Sequence, residues 1–268
     1  MVCILMFLLK MLLLRVSRLN NPVRYFIADI HLVDNEPASG YINITAGFLS
    51  FLDTLPDNCE LYILGDLFDY WVGDDVKTNL HYQIAQALQT LSKRNIRKYF
   101  VHGNRDFLLG KKYAQQCEMT LLPEINSLPN QGKNIIFLHG DLLCIDDHQY
   151  QTFRKVMHNK WLQKLFLFLP LFIRLKIAAK LRKKSSQHNQ LKSENIMDVN
   201  QQAVIEMMVK HNADIMVHGH THKPAVHHFQ IEGNTATRVV LGAWHDGVTY
   251  IKQAENSNTL ELYNHSFK

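Results

Sequence analysis

The chain has 268 residues, of which 47% are hydrophobic and 20% charged, with a formal net charge of +5 and a pI near 8.9. These fractions are typical of a folded globular protein and exclude a disordered or fibrous chain. The modest positive charge suits an anionic partner, such as a phosphorylated substrate, a nucleic acid or an acidic membrane surface, without choosing among them. The four cysteines have no CxxC spacing, which argues against a zinc ribbon or a disulfide framework and favours a reducing cytosol.

An apolar leader, residues 1–22, precedes the predicted fold. Its run of apolar residues at 2–14 is interrupted by Lys10, is shorter than the roughly 20 residues that span a bilayer, and lacks a convincing cleavage site. We therefore do not expect a signal peptide. An interfacial anchor and translation from an upstream start codon both stay open, and we expect residues 23–268 to form the folded domain.

Short runs of β-branched and aromatic residues predict buried strands. The first five lie at residues 24–28, 60–64, 98–101, 134–138 and 214–217. Amphipathic patterns predict helices at residues 41–55, 80–94 and 198–210. Three closing antiparallel strands are predicted at residues 237–242, 248–252 and 259–263. This alternation predicts a layered α/β fold in which helices cover sheets.

Residues 149–192 interrupt the alternation and predict a helical insertion that forms a cap over the core. Its apolar stretch at residues 162–173 is surrounded by cations. These are Lys160, Lys164, Arg174, Lys176, Lys180, Arg182, Lys183 and Lys184. Such a helix suits a membrane interface, although for an arbitrary protein a core-facing helix with a solvated basic side is the more common explanation.

A polar cluster follows directly on each of the first five predicted strands. The clusters are Asp29-Ile30-His31, Gly65-Asp66, Gly103-Asn104-Arg105-Asp106, His139-Gly140-Asp141 and His218-Gly219-His220-Thr221-His222. Because they lie at strand C-termini, we expect them to converge in one crevice. Carboxylates, imidazoles and an amide suit Mn²⁺, Zn²⁺ or Fe²⁺ better than Ca²⁺ or structural zinc. The ligand count favours two metals bridged by Asp66, since one carboxylate can hold two ions roughly 3.5 to 4 Å apart.

Each cluster also has a structural explanation. Asp-x-His and Gly-Asp are, by themselves, better explained as caps or turns. Gly-Asn-Arg-Asp is equally consistent with a tight turn, whereas Gly-His-Thr-His favours metal binding. Five such clusters, each after a strand, are poorly explained by chance turns.

The order D-x-H, G-D, G-N, H-G and G-H-x-H resembles the calcineurin-like metallophosphoesterases, from Arg24 to the C-terminus. The resemblance implies their layered α/β sandwich, here with the helical insertion as a cap. It implies one metal held by Asp29, His31, Asp66 and His222, and a second held by Asp66, Asn104, His139 and His220. Mn²⁺ is the usual ion, His218 is not a ligand, and we expect catalysis by Asp66, Asn104, Arg105 and His139.

Arg105 stands where most members of this superfamily have histidine. A guanidinium does not act as a general acid near neutral pH, but it can hold phosphate oxygens in bidentate fashion. That suits a leaving group that needs no proton, such as a phosphate monoester leaving a pyrophosphate. The strings at residues 103–106, 139–147, 196–200, 220–224 and 239–244 are similar to one lipid A-pathway family, the pyrophosphatases that act on UDP-2,3-diacylglucosamine.

This second resemblance implies attack of a metal-bridging hydroxide on the α-phosphorus of a UDP-diacylglucosamine lipid. The products are UMP and 2,3-diacylglucosamine 1-phosphate, and we expect a monomer bound peripherally to the cytoplasmic face of the inner membrane. The resemblance assigns substrate contacts to Asn104, Arg105, Asp147, Ser185, Asn189, Lys192 and His220. Ser185, Asn189 and Lys192 share a helix face by spacing, and the insertion offers apolar surface and cations for a lipid with an anionic head group.

Two other functions stay open at this point. A cyclic-nucleotide phosphodiesterase or a phosphoprotein phosphatase uses the same metal centre, but is expected to have histidine in place of Arg105 and needs no apolar cap. A metal-free scaffold on this fold is expected to have lost ligands, whereas every expected position is filled. We expect no nucleic-acid partner, because the basic residues alternate with aliphatic ones rather than with exposed aromatics.

Overall fold

The structure is a computed structural model that describes residues 21–34, 43–130, 132–189, 198–245 and 247–266, with only the backbone of residues 183–189 and 266. Most of the predicted leader, residues 1–20, lies outside the described residues, as does Lys192. Two β-sheets with helices on their outer faces make up the described chain, which confirms the predicted layered α/β architecture.

The first sheet has six strands. They are β1 (Arg24–Ile27), β2 (Glu60–Ile63), β3 (Arg97–Phe100), β4 (Thr120–Leu121), β10 (Gly247–Gln253) and β11 (Leu260–Ser266). Their order across the sheet is β11-β10-β1-β2-β3-β4. Strands β1 to β4 run parallel. β10 pairs antiparallel with β1, and β11 pairs antiparallel with β10 at the edge of the sheet. The carboxyl ends of β1, β2 and β3 therefore point to one edge.

The second sheet has five strands in the order β5-β6-β7-β9-β8. They are β5 (Asn126–Asn130), β6 (Lys133–Phe137), β7 (Ile215–His218), β8 (Ala225–Ile231) and β9 (Asn234–Val240). β6, β7 and β9 run parallel, and β5 and β8 are antiparallel at the two edges. The sheets pack face to face, with the ring of Phe137 lying 5.7 Å from that of Phe26 and 5.0 Å from that of Tyr62.

Helices cover the outer faces of both sheets. α1 (Ile44–Thr54), α2 (Asn79–Ser92) and α3 (Lys111–Gln116) pack on the first sheet, and α7 (Gln201–Lys210) packs on the second. Side-chain caps start three of them: Asn43 accepts a hydrogen bond from the Ala46 N–H, and Thr78 and Asn200 cap α2 and α7 in the same way. Strand residues alternate between the two layers, so Tyr25 and Ile27 face the helices while Phe26 faces the other sheet.

Three further helices fill the predicted insertion. They are α4 (His148–Met157), α5 (Lys160–Phe168) and α6 (Leu171–Asn189). Asp147 and Asn159 cap α4 and α5, and Pro170 separates α5 from α6. We call α5 and α6 the cap. Among the helices that the structure describes, none combines the length and apolar character that crossing a bilayer requires.

The predicted elements agree with the structure within a few residues, with one error of arrangement. Residues 237–242 were expected to be one of three closing antiparallel strands. β9 does pair antiparallel with β8, but it also runs parallel to β7 and lies in the other sheet from β10 and β11. The pattern of a half-buried strand does not say which sheet it joins. Strands β4, β5 and β8 and helix α3 had no prediction.

Candidate metal centre

The polar clusters meet at the carboxyl ends of five parallel strands drawn from both sheets. Backbone hydrogen bonds join the loops that carry them. Asp29 N donates to Gly65 O at 3.1 Å, His31 N to Asp66 O at 2.9 Å, and Gly219 N to His139 O at 2.8 Å. The expected convergence in one crevice is therefore what the fold produces.

Five residues of the centre have a left-handed backbone conformation, which residues other than glycine rarely adopt. The φ angle is positive at Asp29 (55°), His31 (54°), Asp66 (53°), His220 (71°) and His222 (58°). A left-handed residue other than glycine costs roughly 1 to 2 kcal/mol, and such residues concentrate at functional sites. All five are predicted metal ligands, so the fold tolerates strain at the positions that aim these side chains inward.

One group of donors consists of Asp29, His31 and His222, whose ligand atoms all lie within 4.8 Å of one another. His31 Nε2 is 3.2 Å from His222 Nε2 and 3.9 Å from Asp66 Oδ2. Asp29 Oδ1 and His31 Nδ1 are buried without a hydrogen-bond partner in the described part of the chain. Lone-pair donors gathered around one point, with orphaned atoms among them, fit a divalent cation.

A second group surrounds His139. Its Nδ1 donates to Leu64 O at 2.8 Å, which leaves the Nε2 lone pair facing Asn104 Oδ1 at 2.9 Å and His220 Nδ1 at 3.3 Å. Asn104 Oδ1 is also 2.9 Å from His220 Nδ1. A backbone carbonyl that fixes the histidine tautomer is typical of metal-bound imidazole.

Asp66 lies between the two groups and offers one carboxylate oxygen to each. Oδ1 is 3.8 Å from His139 Nε2, while Oδ2 faces His31. The ligand atoms of Asp29, which the resemblance assigns to the first metal alone, also come within 4.8 Å of those of Asp66 and His139. The Arg105 N–H donates a hydrogen bond to Asp66 Oδ1 at 2.8 Å and holds this oxygen in place.

Burial sets the direction of the pKa shift at three of these side chains. It raises the pKa of the Asp66 carboxyl well above its usual range, and it lowers the pKa of His31 to about 3 and that of His220 to about 4. The two imidazoles are therefore neutral near pH 7 and present lone pairs. At His139 burial opposes protonation, but the Asp66 and Asp29 carboxylates outweigh it and raise the pKa to about 9. A bound cation favours the ionised form of Asp66, so the electrostatic balance suits a metal.

Asp106 positions the loops of the centre, and the sequence analysis gave it no role. Its side chain is fully buried, with Oδ2 accepting from Leu67 N at 2.8 Å and Oδ1 from Gly103 N at 2.9 Å. It thus joins the loop after β2 to the loop after β3. The only sequence signal was its place at the end of Gly-Asn-Arg-Asp.

The predicted substrate residues fall at different places. Asn104 and His220 lie in the second group, and Arg105 lies partly buried at the crevice. Asp147 caps α4 through Tyr150 N at 3.0 Å. Ser185 and Asn189 lie in the last part of α6, residues 183–189, where only the backbone is described. Lys192 lies outside the described residues, so the proposed shared face stays a prediction.

His218 is buried within β7, and its ring nitrogens face Gly219 O at 2.8 Å and Arg238 Nη1 at 3.4 Å. Both ring nitrogens of His218 therefore have neighbours other than a metal. This fits the resemblance, which leaves His218 out of the set of metal ligands.

Comparisons with known proteins agree with this geometry. The profile of the calcineurin-like phosphoesterases matches residues 24–224. A relative from Photorhabdus laumondii subsp. laumondii, named UDP-2,3-diacylglucosamine hydrolase, is 52% identical over 87% of this chain and 95% of the relative. One of the same name from Yersinia pseudotuberculosis serotype O:1b is 53% identical over 82% of this chain and 90% of the relative. A solved archaeal phosphodiesterase is 10% identical, covers 91% of this chain and 99% of its own, and has a TM-score of 0.42, too low to add weight.

Proposed function

The chain belongs to the calcineurin-like phosphoesterase family and is a hydrolase, and from this premise we propose that it hydrolyses the pyrophosphate bond of UDP-2,3-diacylglucosamine in lipid A biosynthesis. The products are UMP and 2,3-diacylglucosamine 1-phosphate. The observation that carries the proposal is the 52% identity to a relative of that name over nearly all of its length. The crevice geometry supports it, because it gathers donors of the kind that two-metal hydrolysis uses.

We assign two Mn²⁺ ions to the centre. Asp29, His31 and His222 would hold one, Asn104, His139 and His220 would hold the other, and Asp66 would contribute to both. The placement of one Asp66 oxygen toward each group supports the shared role. When bound, such ions act as Lewis acids on phosphate oxygens and lower the pKa of water.

Arg105 holds the oxygens of the α-phosphate in this proposal. Its main chain is fixed on both sides, because its N–H donates to Asp66 Oδ1 at 2.8 Å and its carbonyl accepts from Trp71 N at 3.0 Å. A guanidinium stays charged at neutral pH and stabilises the negative charge that grows on the phosphorus oxygens. Water attacks the α-phosphorus and gives up its proton to the solvent, the new oxygen stays on UMP, and the bond from the α-phosphorus to the bridging oxygen breaks. The departing phosphate monoester needs no proton, which explains arginine in place of histidine.

The cap supplies the lipid-binding surface. Trp161 and Phe168 are 77% and 93% exposed, Leu165 and Phe172 are also exposed, and the Lys164 ammonium lies 5.4 Å from the Trp161 ring. An exposed apolar cluster with cations beside it suits acyl chains and an anionic membrane surface. We therefore propose that the protein binds peripherally to the cytoplasmic face of the inner membrane. Cosedimentation with anionic vesicles, weakened in Phe168→Ser, tests the placement.

Substrate preference tests the proposed reaction. We expect kcat/KM for UDP-2,3-diacylglucosamine to exceed that for cyclic AMP by at least about a hundredfold, because only the lipid substrate engages both the cap and Arg105. The reverse preference would assign the chain to the cyclic-nucleotide phosphodiesterases. Both rates are measured with Mn²⁺ on one enzyme preparation, so that metal loading is the same.

A further inference from the structure

Arg174 has a different role from the other cations around the cap. The sequence groups it with the basic residues that surround an apolar stretch, but its side chain is only 2% exposed. Its Nε donates to Leu169 O at 3.0 Å and its Nη1 to Asp75 Oδ1 at 2.8 Å, with further close contacts from Nη1 to Val72 O and from Nη2 to Asp75 Oδ2. A buried guanidinium with this many acceptors is tied to one place.

Gly73 shows that the loop is shaped around this guanidinium. Its φ angle is 135°, in the region that favours glycine. A Cβ added at Gly73 would lie 2.3 Å from Arg174 Nη1 and 2.9 Å from Leu167 Cδ2. The loop therefore accepts the cap only because no side chain stands at this position. We call the contact of Arg174 with Val72 and Asp75 the latch.

The loop that bears the latch also touches the metal centre. The Trp71 backbone N–H donates a hydrogen bond to Arg105 O, and the Trp71 indole N–H donates one to Asp74 Oδ1 at 3.1 Å. Near the start of the same loop, Asp69 pairs with Arg182 of the cap at 2.5 Å, and its Oδ1 lies 4.0 Å from His31 Nδ1. Residues 69–75 thus connect the cap directly with the residues of the crevice.

We propose that Arg174 is a positioning residue that sets the substrate specificity: the latch holds the cap at the height and angle at which acyl chains can bind beside the metal centre. This inference rests on the proposed function. The phosphoester chemistry itself does not need the latch, because Arg174 contacts none of the predicted metal ligands. A small phosphodiester that never reaches the cap should therefore be insensitive to it.

Arg174→Ala and Asp75→Asn test the latch. Lys210→Ala is the control, because Lys210 is an exposed cation at the end of α7, which packs on the second sheet and is not part of the cap. Hydrogen–deuterium exchange reports whether α5 and α6 loosen. Steady-state kinetics with UDP-2,3-diacylglucosamine, beside hydrolysis of bis(4-nitrophenyl) phosphate, separate lipid binding from chemistry at the centre.

Both latch variants are expected to raise KM for the lipid substrate by about tenfold or more while changing kcat by less than about threefold. Hydrolysis of bis(4-nitrophenyl) phosphate should be unchanged, and exchange should rise in α5 and α6. Lys210→Ala should change none of these values. A general loss of stability would lower the activity toward both substrates. A higher KM for the lipid alone, with kcat nearly unchanged, therefore indicates a specific effect of the latch.

Equal losses with both substrates, or an unchanged KM for the lipid, would overturn the proposal. Asp75→Asn keeps the shape of the side chain and decides the matter if Arg174→Ala does not fold. If the unmodified enzyme fails to hydrolyse UDP-2,3-diacylglucosamine, the proposed function is wrong. Hydrogen–deuterium exchange of the latch variants then still tests whether the latch holds the cap. Unchanged protection of α5 and α6 would show that it does not.

Discussion

Replacing Gly103 by alanine should disable the metal centre without unfolding the protein. The added Cβ would lie 2.1 Å from Asp66 Oδ1 and 2.5 Å from Asp66 N. Comfortable separation of such atoms is roughly 3.5 Å, so a displacement of about 1 Å is needed. The side chain of Asp66 can rotate, but its backbone nitrogen cannot, so the whole ligand must shift. A misplacement of about 1 Å at a reacting centre can cost about a hundredfold in rate.

The assay combines metal content after dialysis, by mass spectrometry, with hydrolysis of bis(4-nitrophenyl) phosphate. We expect Gly103→Ala to lose metal and at least about a hundredfold in kcat/KM, with a stability cost of about 1 to 3 kcal/mol. Gly233→Ala is the matched control, because its Cβ would meet nothing within 4 Å and only its φ of 81° is strained. If Gly103→Ala kept its metal and its activity within about threefold, the steric argument would be refuted.

Three other substitutions test separate parts of the account. Asp106→Asn replaces one carboxylate oxygen with an NH₂ group, which then faces the N–H of Leu67 or Gly103 and cannot accept its hydrogen bond. Guanidinium titration should therefore show a loss of about 2 to 3 kcal/mol in the free energy of unfolding. Arg105→Ala should lower kcat for the lipid substrate by about 10² to 10³ while metal content stays the same, because only main-chain atoms of this residue contact Asp66. Burial opposes ionisation of Asp141, but His139 and Arg154 outweigh it and lower the pKa of Asp141 to about 2. Asp141 therefore adds on the order of 2 kcal/mol of stability above about pH 4, lost as pH falls toward 2, and thermal melts of Asp141→Asn should differ from those of the unmodified protein at pH 7 but converge at low pH.

The convergence of the polar clusters could be predicted from sequence for a physical reason. Parallel strands bring their carboxyl ends to one edge, so a polar residue after each buried run marks the same crevice. Asp29, Asp66 and Asn104 followed this rule. Strands β4, β5 and β8 escaped prediction because β4 has two residues, β5 contains Pro129, and β8 is mostly exposed.

Contacts between distant segments could not be predicted. Arg174 lies 99 residues from Asp75, and nothing in its surroundings of leucine and lysine distinguishes a buried guanidinium from a solvated one. The bonds of Asp106 to two loops are likewise tertiary. The left-handed backbone at His31 and His222 could not be predicted either, because a positive φ is uncommon outside glycine even for histidine, which adopts it more often than most residues.

Phosphorus NMR of UDP-2,3-diacylglucosamine turnover, with Mn²⁺ in ¹⁸O-labelled water, shows which phosphorus the water attacks. We expect the heavy oxygen to appear in UMP, because water attacks the α-phosphorus, and we expect Asp66→Ala to abolish the reaction. Label in the sugar phosphate would place the attack on the other phosphorus and contradict the proposed role of Arg105. No turnover beside rapid cleavage of simple phosphodiesters would contradict the lipid substrate itself.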